Sequence, residues 1–411
     1  MSRFVRTHVD DLQLGMFVAD LDRPWIDTPF LMQGFTIKTV EELAALRQLC
    51  TTVDVDIGLS QTPKNYDPLL TNGGAKRSRV VTQMFGGKRL VSYEDVFTFE
   101  QEMVSAEKVF RDYEVLVGDL YQGIARNGSV DMSAVRKTVD EVVDSIMRNA
   151  DACMLLSAIR NKDSYSYSHA MASSILAAAV GRQIGLPIPD IKTLAQGSLL
   201  CDVGKLNISS RILNKNTPLS TEEVAIVRSH VDQGLELLSH SRGVSPEVLS
   251  IVAYHHERHN GSGYPNGTAG AEIPPMARIA GIVDCYDAMI SDRAYARGVS
   301  PADAISKLYT MRDVDFQGEL IEEFIQAVGI YPVGSFVALT DGRVGIVVTE
   351  HRRRRLRPRV MVLLDGEGMP ATPGTYVNLL EETEDRLGRP LEILKGIEPM
   401  DYDIDPSELV F

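Results

Sequence analysis

The chain has 411 residues, more than one ordinary hydrophobic core accommodates, so two or three domains are expected. Hydrophobic residues make up 44% and charged residues 24%, a balance that excludes an intrinsically disordered chain. The formal net charge of -14 disfavours binding to nucleic-acid polymers and to anionic membrane surfaces, because these carry negative phosphates themselves. A phosphate-bearing ligand would therefore need positive charge supplied locally.

The cellular compartment is indicated by the cysteines and by the lack of long apolar runs. The four cysteines have no paired spacing, which predicts a reducing environment without disulfides: Cys50, Cys153, Cys201 and Cys285. The N-terminus has no apolar run typical of a signal peptide. The longest apolar stretch, around Ile175–Val180, is far shorter than the ~20 residues of a membrane span. We expect a cytoplasmic protein with no membrane span.

Short alternating apolar stretches mark residues 1–60, with a helical segment, Thr39–Cys50, between them. This pattern predicts a small α+β regulatory domain. Residues 61–92 are rich in Asn, Gly, Lys, Arg and Ser, which is typical of a mobile linker.

A helical period begins after this linker, and residues 93–150 are predicted to form connecting helices. One long amphipathic helix, ending near Asn127-Gly128, is indicated by apolar residues at Val104, Phe110, Leu116, Val117 and Leu120. Helical signals continue to about Gly329, among them a capping-box pattern at Ser220–Glu223. The fold class is therefore predicted as mainly α, with an all-helical domain over 151–330.

The C-terminal residues, 331–411, are predicted to form a small β-rich module. The apolar runs Phe336–Leu339 and Val344–Val348 flank Asp341-Gly342, a good hairpin signal, and Val360–Leu364 predicts another strand. The arginine run at 352–355 could bind an acidic partner, but a solvated hairpin tip is the favoured interpretation.

Histidines are concentrated in the predicted helical domain. Six of the eight fall within ninety-odd residues, near Asp202 and Asp284: His169, His230, His240, His255, His256 and His259. Neutral imidazoles mixed with carboxylates suit Fe, Mn, Zn or Ni, and a shared carboxylate can bridge two ions. Any one histidine alone is more often a capping or surface residue, whereas the whole set favours a metal site.

Four motifs in this region follow one another in a recognisable order. Cys201-Asp202-Val203-Gly204-Lys205 is similar to the HD-x-G-K signature of HD hydrolases, with Cys in the position of His. His255-His256-Glu257 and the following Asn260–Pro265 resemble the HHE and GxGYP segments, and Asp284–Ala288 and Asp292–Tyr295 resemble D-x-x-D-A and D-R-P-Y. Over about 150–330 the chain thus resembles the HD-GYP family of metal-dependent cyclic-di-GMP phosphodiesterases. Residues 1–60 resemble the domain of unknown function often placed before it.

The resemblance implies a site residue by residue. Its implied metal ligands are His169, Cys201, Asp202, His230, His255, His256 and Asp284, with Asp202 bridging two ions. The ligand set of one ion is completed by His230, His255 and His256. The ligand set of the other ion is completed by His169, residue 201 and Asp284. Implied contacts with the substrate are Lys205 and Arg293 at the phosphate, with Gly263, Tyr264 and Pro265 as a shaped wall or partner surface.

The implied chemistry is hydrolysis of cyclic-di-GMP to pGpG or GMP. Two cations roughly 3.5–4 Å apart generate a hydroxide and neutralise charge on the phosphate. Asp202 and Lys205 are the expected catalytic residues, with Lys205 neutralising a non-bridging oxygen without moving a proton.

Two residues depart from the family pattern. Cys201 stands where the HD histidine is expected, either as a thiolate ligand or as a buried thiol beside a weakened half-site. Tyr165 stands where some relatives carry a glutamate for a third metal, so two divalent ions at most are implied.

Three functional hypotheses remain at this stage. The first is an active but slow or conditional phosphodiesterase, and the second is a catalytically degenerate receptor for cyclic-di-GMP or a protein partner. The third, a general HD nucleotide phosphohydrolase, is disfavoured by the Gly-Tyr-Pro segment. The sequence leaves open whether the chain binds other cyclic-di-GMP signalling proteins and whether it forms a dimer.

Overall fold

The computed structural model describes residues 4–23, 25, 28, 30, 34–56, 79–159, 165–291, 298–351, 357–406 and 409. The chain divides into two compact units, Met1–Lys76 and Arg77–Phe411. Within the described ranges, none of the helices combines the length and the apolar character needed to cross a bilayer.

The first unit is a small α+β domain. Its four antiparallel strands lie in the order β1-β4-β2-β3: β1 Phe4–His8, β2 Phe17–Leu21, β3 Phe35–Thr36 and β4 Thr52–Asp56. The predicted helix is confirmed as α1, Val40–Leu49. It begins at a capping box in which Thr39 and Glu42 satisfy each other's backbone N–H groups. Val18, Ile37 and Leu46 are part of the hydrophobic core of this domain.

The second unit is mainly helical, which confirms the predicted fold class. Its helices are α2 Arg79–Met84, α3 Phe99–Asn127, α4 Met132–Arg148, α5 Ala150–Ile159, α6 Tyr165–Ile184, α7 Ile188–Leu200, α8 Ser210–Leu213, α9 Thr221–Arg228, α10 His230–Ser239, α11 Pro246–Tyr254, α12 Pro275–Ile290, α13 Pro301–Thr310 and α14 Gly318–Val328. The capping box predicted at Ser220–Glu223 is confirmed at the start of α9.

The long helix α3 ends where its sequence predicts. Gly128 caps it with a φ of 63°, the left-handed conformation that glycine adopts without strain. Phe110, Val117 and Leu120 face the core as expected, but Val104 is 81% exposed. Its neighbour Met103 is buried instead, on the face of α3 that also carries Phe110, Val117 and Leu120.

The predicted linker is also not irregular throughout. Its last part contains α2, because Val81 and Phe85 lie four residues apart and are both buried in the second unit. Residues 61–78 lie outside the described residues.

A five-stranded antiparallel sheet follows the helices, and it confirms the predicted β module. Its strands lie in the order β8-β7-β6-β5-β9: β5 Phe336–Leu339, β6 Val344–Thr349, β7 Arg359–Leu364, β8 Tyr376–Asn378 and β9 Ile393–Gly396. β5 and β6 pair antiparallel, as the Asp341-Gly342 turn predicts. The arginine run at 352–355 lies outside the described residues.

A buried carboxylate ties α3 to α4. Glu102 is fully buried, and it accepts hydrogen bonds from Ser145 Oγ at 2.6 Å and from Arg148 Nε and Nη2 at 2.7 and 2.8 Å. Bidentate, charge-assisted pairs of this kind fix geometry as well as adding energy.

We expect Glu102→Gln to lower the free energy of unfolding by about 1–3 kcal/mol, because the amide replaces an acceptor oxygen with a donor facing Arg148. Urea denaturation monitored by circular dichroism measures the change. Glu141→Gln on the exposed face of α4 is the matched control, with an expected change within about 0.5 kcal/mol. Equal effects of the two substitutions would contradict a structural role for the Glu102 network.

Candidate metal centre

The candidate site lies where five helices of the second unit meet. α6, α7, α11 and α12 pack against one another, and α10 packs against the turn that follows α7. Helix ends deliver most of the polar side chains. The positions are His169 within α6, Asp202 two residues after α7, His230 at the first residue of α10, His255 and His256 directly after α11, and Asp284 within α12.

Two glycines permit the close backbone approaches that this convergence needs. A Cβ atom at Gly204 would lie 1.9 Å from the carbonyl oxygen of His230. A Cβ atom at Gly263 would lie 2.5 Å from the carbonyl oxygen of His256. Neither contact is sterically possible, so both motifs need glycine at these positions.

The six polar side chains form two groups that share Asp202. We call Asp202, His230, His255 and His256 the first group, and His169, Asp202 and Asp284 the second group. Within each group the potential ligand atoms lie within 4.8 Å of one another. His230 Nε2 is 3.2 Å from Asp202 Oδ1, and His169 Nε2 is 3.4 Å from Asp202 Oδ2. The two oxygens of one carboxylate therefore face two different groups.

Hydrogen bonds at helix ends set the tautomers in the first group. His230 Nδ1 is 2.7 Å from the carbonyl oxygen of Val227, and His255 Nδ1 is 2.8 Å from that of Val252. These carbonyls lie in the last turns of α9 and α11, where backbone acceptors have no partner within the helix. A carbonyl only accepts, so each Nδ1 donates, and in the tautomer that this selects Nε2 carries no hydrogen.

The bare nitrogens then face other acceptors. The two Nε2 atoms of His230 and His255 are 3.5 Å apart, and Asp202 Oδ1 is buried with no hydrogen-bond partner among the described residues. Lone pairs that face one another in a buried site repel unless a cation lies between them. This arrangement fits a metal ion.

In the second group, too, one ring nitrogen of a histidine has a hydrogen-bond acceptor while the other faces the centre. His169 Nδ1 is 2.5 Å from Asp287 Oδ2, which accepts its hydrogen, and His169 Nε2 is 3.0 Å from Asp284 Oδ1. A carboxylate that orients a ligating histidine through its second nitrogen is the usual outer partner of a metal site. The second group therefore also fits a cation.

The pKa values show the same demand for positive charge. Burial alone would lower the pKa of His169, but hydrogen bonds with Asp202, Asp284 and Asp287 raise it well above its ordinary value. Burial would raise the pKa of Asp202, whereas Lys205, His169 and His230 together hold it well below. A proton on His169 thus occupies a place that a cation could take.

Two histidines of the first group stay neutral. Burial lowers the pKa of His255 to about 4, and burial together with the neighbouring His255 lowers that of His256 well below its ordinary value. A metal ligand must be deprotonated, so these rings are ready to bind at neutral pH. The donor set of imidazole and carboxylate suits Zn, Fe, Mn or Ni.

Cys201 behaves differently from the other predicted ligands. Its side chain is buried, yet its sulfur belongs to neither group. The thiol donates to the carbonyl oxygen of Ser198 at 3.2 Å. Burial, reinforced by the charges of Asp202 and Asp284, raises the pKa of the thiol well above its ordinary value. The structure thus describes a protonated thiol beside the second group.

The predicted substrate-binding residues that are described include Lys205, which contacts the shared Asp202, and Tyr264, which contacts the first group. Lys205 Nζ hydrogen-bonds to Asp202 Oδ2, and the Lys205 side chain is about one-quarter exposed (25%). The Tyr264 ring stacks on His256 with 4.5 Å between centroids, within the segment Gly263–Pro265, whose Tyr264-Pro265 peptide bond is cis. Arg293 lies outside the described residues.

Two further residues reach the site that the sequence analysis did not predict as site residues. Asp287 accepts a hydrogen bond from His169. It is the second aspartate of the segment that resembles D-x-x-D-A, one helical turn after Asp284 on the same face, but no role was predicted for it. Arg228 lies over the Tyr264 ring, with its Cζ atom 4.8 Å from the centroid. No sequence signal distinguishes Arg228 from other exposed arginines.

Comparison with known protein families divides the chain into three matched regions. The HD domain matches residues 154–320, a domain of unknown function (DUF3391) matches 5–135, and a KOW domain associated with HD domains matches 336–385.

The chain is also similar to individual proteins. The chain is 31% identical over 384 residues to cyclic di-GMP phosphodiesterase PA4108 of Pseudomonas aeruginosa, covering 91% of this chain and 88% of that protein. It is 29% identical to 3'3'-cGAMP-specific phosphodiesterase 2 of Vibrio cholerae, over 56% of this chain and 41% of that protein. The solved structure of Bd1817, an HDG"Y"P protein from Bdellovibrio bacteriovorus, is 16% identical with a TM-score of 0.46, over 78% of this chain and 98% of that one.

We expect Asp287→Asn to weaken metal binding by about 10- to 100-fold, because the neutral amide no longer raises the basicity of His169 or fixes its tautomer. Competition against a chelator with a known metal affinity measures the change. Asp119→Asn, an exposed aspartate on α3, is the control and should leave the metal affinity unaltered. Unchanged affinity in Asp287→Asn would show that this carboxylate does not support a metal ligand.

Proposed function

The chain belongs to the HD-GYP family of cyclic di-GMP phosphodiesterases with an N-terminal DUF3391 domain, and from this membership we propose that it hydrolyses cyclic-di-GMP to pGpG or GMP at the centre shared by the two groups. The observation that carries the proposal is the position of Asp202, whose two carboxylate oxygens face separate sets of ligands. A carboxylate shared in this way can bridge the two ions of a two-metal hydrolase.

The first group and the second group would each hold one divalent cation, Fe, Mn, Ni or Zn. Bound there, the cations would supply a nucleophile at neutral pH and neutralise charge on the scissile phosphate. The chain's own part is to keep His255 and His256 neutral and to restrict the access of water by burial. It also holds the Nε2 atoms of His230 and His255 towards the centre through the carbonyl groups of Val227 and Val252.

Lys205 supplies local charge for the phosphate. Its ammonium group hydrogen-bonds to Asp202 at the centre while part of the side chain remains exposed, so it can meet a non-bridging oxygen without moving far. Positive charge already positioned where negative charge develops stabilises a transition state without reorganisation. Arg293 is assigned a similar role by family resemblance alone.

Gly263, Tyr264 and Pro265 form a wall of the substrate site in this proposal. Tyr264 covers His256, and burial raises the pKa of its hydroxyl, so the group stays neutral and does not carry protons at physiological pH.

The proposal also assigns a role to each region of the chain. Residues 151–330 carry the chemistry, reached through the connecting helices of 93–150. Residues 1–60 and 331–411 act as regulatory or packing modules, since the two metal-binding groups found among the described residues both lie within 169–284.

A receptor function is the second candidate, and Cys201 is the observation that favours it. The buried thiol donates to Ser198 and lies outside both groups, so the second group has three ligands where the family motif supplies a fourth. A weakly held second ion would make hydrolysis slow or conditional, while the complete first group still binds a phosphate.

We expect Cys201→His to raise both the metal content and the rate of pGpG formation, because it restores an imidazole next to the second group. Asp202→Ala should abolish both, because it removes the shared ligand. Metal analysis of the purified proteins and single-turnover hydrolysis of cyclic-di-GMP measure the two quantities. If Cys201→His changed neither, residue 201 would have no part in the centre. If the wild-type protein bound cyclic-di-GMP but never hydrolysed it with saturating metal, the receptor function would replace the enzyme.

A further inference from the structure

Arg228 connects the last turn of α9 to the rim of the candidate centre. Its Cζ atom is 4.8 Å from the centroid of the Tyr264 ring. The same ring stacks on His256, a member of the first group, with centroids 4.5 Å apart and planes inclined by 27°. A guanidinium and a metal-binding histidine therefore contact one aromatic side chain.

Other described cations near this rim already have partners. Lys205 is paired with Asp202, and Arg258 donates to the carbonyl oxygens of His255 and Glu257 while lying over Phe316. Arg228 is exposed, and no carboxylate of the described residues lies within 4.0 Å of its guanidinium. Stacking on an aromatic ring occupies only the face of a guanidinium and leaves the N–H groups at its edge available.

A cyclic dinucleotide makes a demand that the centre alone does not meet. It carries two phosphodiester groups on opposite sides of one ring, and a cleavage site engages one of them at a time. The other phosphate must come to rest on a chain whose net charge is -14. Without a local cation this negative charge would be repelled.

We propose that Arg228 binds the second, uncleaved phosphate of the cyclic dinucleotide, with its guanidinium held in place by the Tyr264 ring. This assignment rests on the proposed function. It gives the Gly-Tyr-Pro segment a further task, because Tyr264 both covers His256 and positions the cation. Arginine suits this task better than lysine, since its planar fork presents two parallel N–H donors to a phosphate.

The competing explanation is that Arg228 only steadies Tyr264. In that case its loss would disturb the wall beside His256, and every phosphodiester substrate would be affected alike. If Arg228 binds the second phosphate, its loss should matter most for substrates that carry two phosphates. A diester with one phosphate, bis(p-nitrophenyl) phosphate, separates the two explanations.

The test compares the full-length wild-type protein with Arg228→Gln, Arg228→Lys and the control Arg111→Gln, which lies on an exposed position of α3. Binding of cyclic-di-GMP is measured by calorimetry in EDTA, and kcat/KM is measured with metal for both diesters. We expect Arg228→Gln to weaken binding about 10- to 100-fold, the effect of losing charge-assisted hydrogen bonds. The ratio of kcat/KM for cyclic-di-GMP to that for bis(p-nitrophenyl) phosphate should fall about tenfold, mainly through KM. For both quantities, Arg228→Lys should give values between those of wild type and Arg228→Gln. Arg111→Gln should give the wild-type values.

The outcomes distinguish the assignment from the function on which it rests. If wild type binds cyclic-di-GMP and Arg228→Gln binds equally well, the assignment is wrong and the proposed function stands. If Arg228→Gln lowers activity on both diesters by the same factor, Arg228 acts through Tyr264 and does not contact the second phosphate. If wild type neither binds nor hydrolyses cyclic-di-GMP, the proposed function fails and the assignment fails with it.

Discussion

The constraint on which the helical unit depends is the burial of Asp202 between two sets of side chains that could hold metal ions. Its Oδ1 atom faces His230, its Oδ2 atom faces His169 and Lys205, and the side chain is 7% exposed. Negative charge and imidazole lone pairs brought this close in a buried site repel one another unless cations lie between them. The hydrogen bonds around Asp202 hold the histidines in this arrangement.

Helix ends do most of this work. The last turns of α9 and α11 have carbonyl groups that no intrahelical donor satisfies, and each accepts a hydrogen bond from a histidine just beyond it. The same hydrogen bonds that complete the helix ends therefore also direct two Nε2 atoms to the centre. In the second group, Asp287 on α12 accepts the hydrogen of His169 Nδ1 and so directs the Nε2 atom of His169 to the centre. Glycine at 204 and 263 lets the backbones approach closely enough for both sides to meet.

Much of the architecture could be predicted from local signals. Capping boxes, the Asp-Gly turn and the glycine that ends α3 specify backbone geometry through neighbouring residues, and the structure has all of them. The family resemblance implied seven metal ligands, and six of them form the two groups. Periodicity was less exact for α3. It identified the buried face of the helix but not every residue on it, since Val104 is exposed and its neighbour Met103 is buried.

Contacts made between distant segments could not be predicted in this way. The hydrogen bond between His169 and Asp287 joins residues 118 positions apart, so it depends on how α6 packs against α12. The stacking of Arg228 on Tyr264 likewise needs the three-dimensional path of the loop after α11. The side chain of Cys201 is a third case, since its rotamer decides whether the thiol turns to Ser198 or to the centre.

The central claim, that Asp202 is shared by two cations, is tested most directly by anomalous X-ray diffraction from crystals of the wild-type protein grown with excess Mn²⁺. The account predicts two anomalous peaks, one contacted by His230, His255 and His256 and the other by His169 and Asp284, with one oxygen of Asp202 at each or between them. A map with no peak, with a single peak, or with peaks that Asp202 does not contact would contradict it.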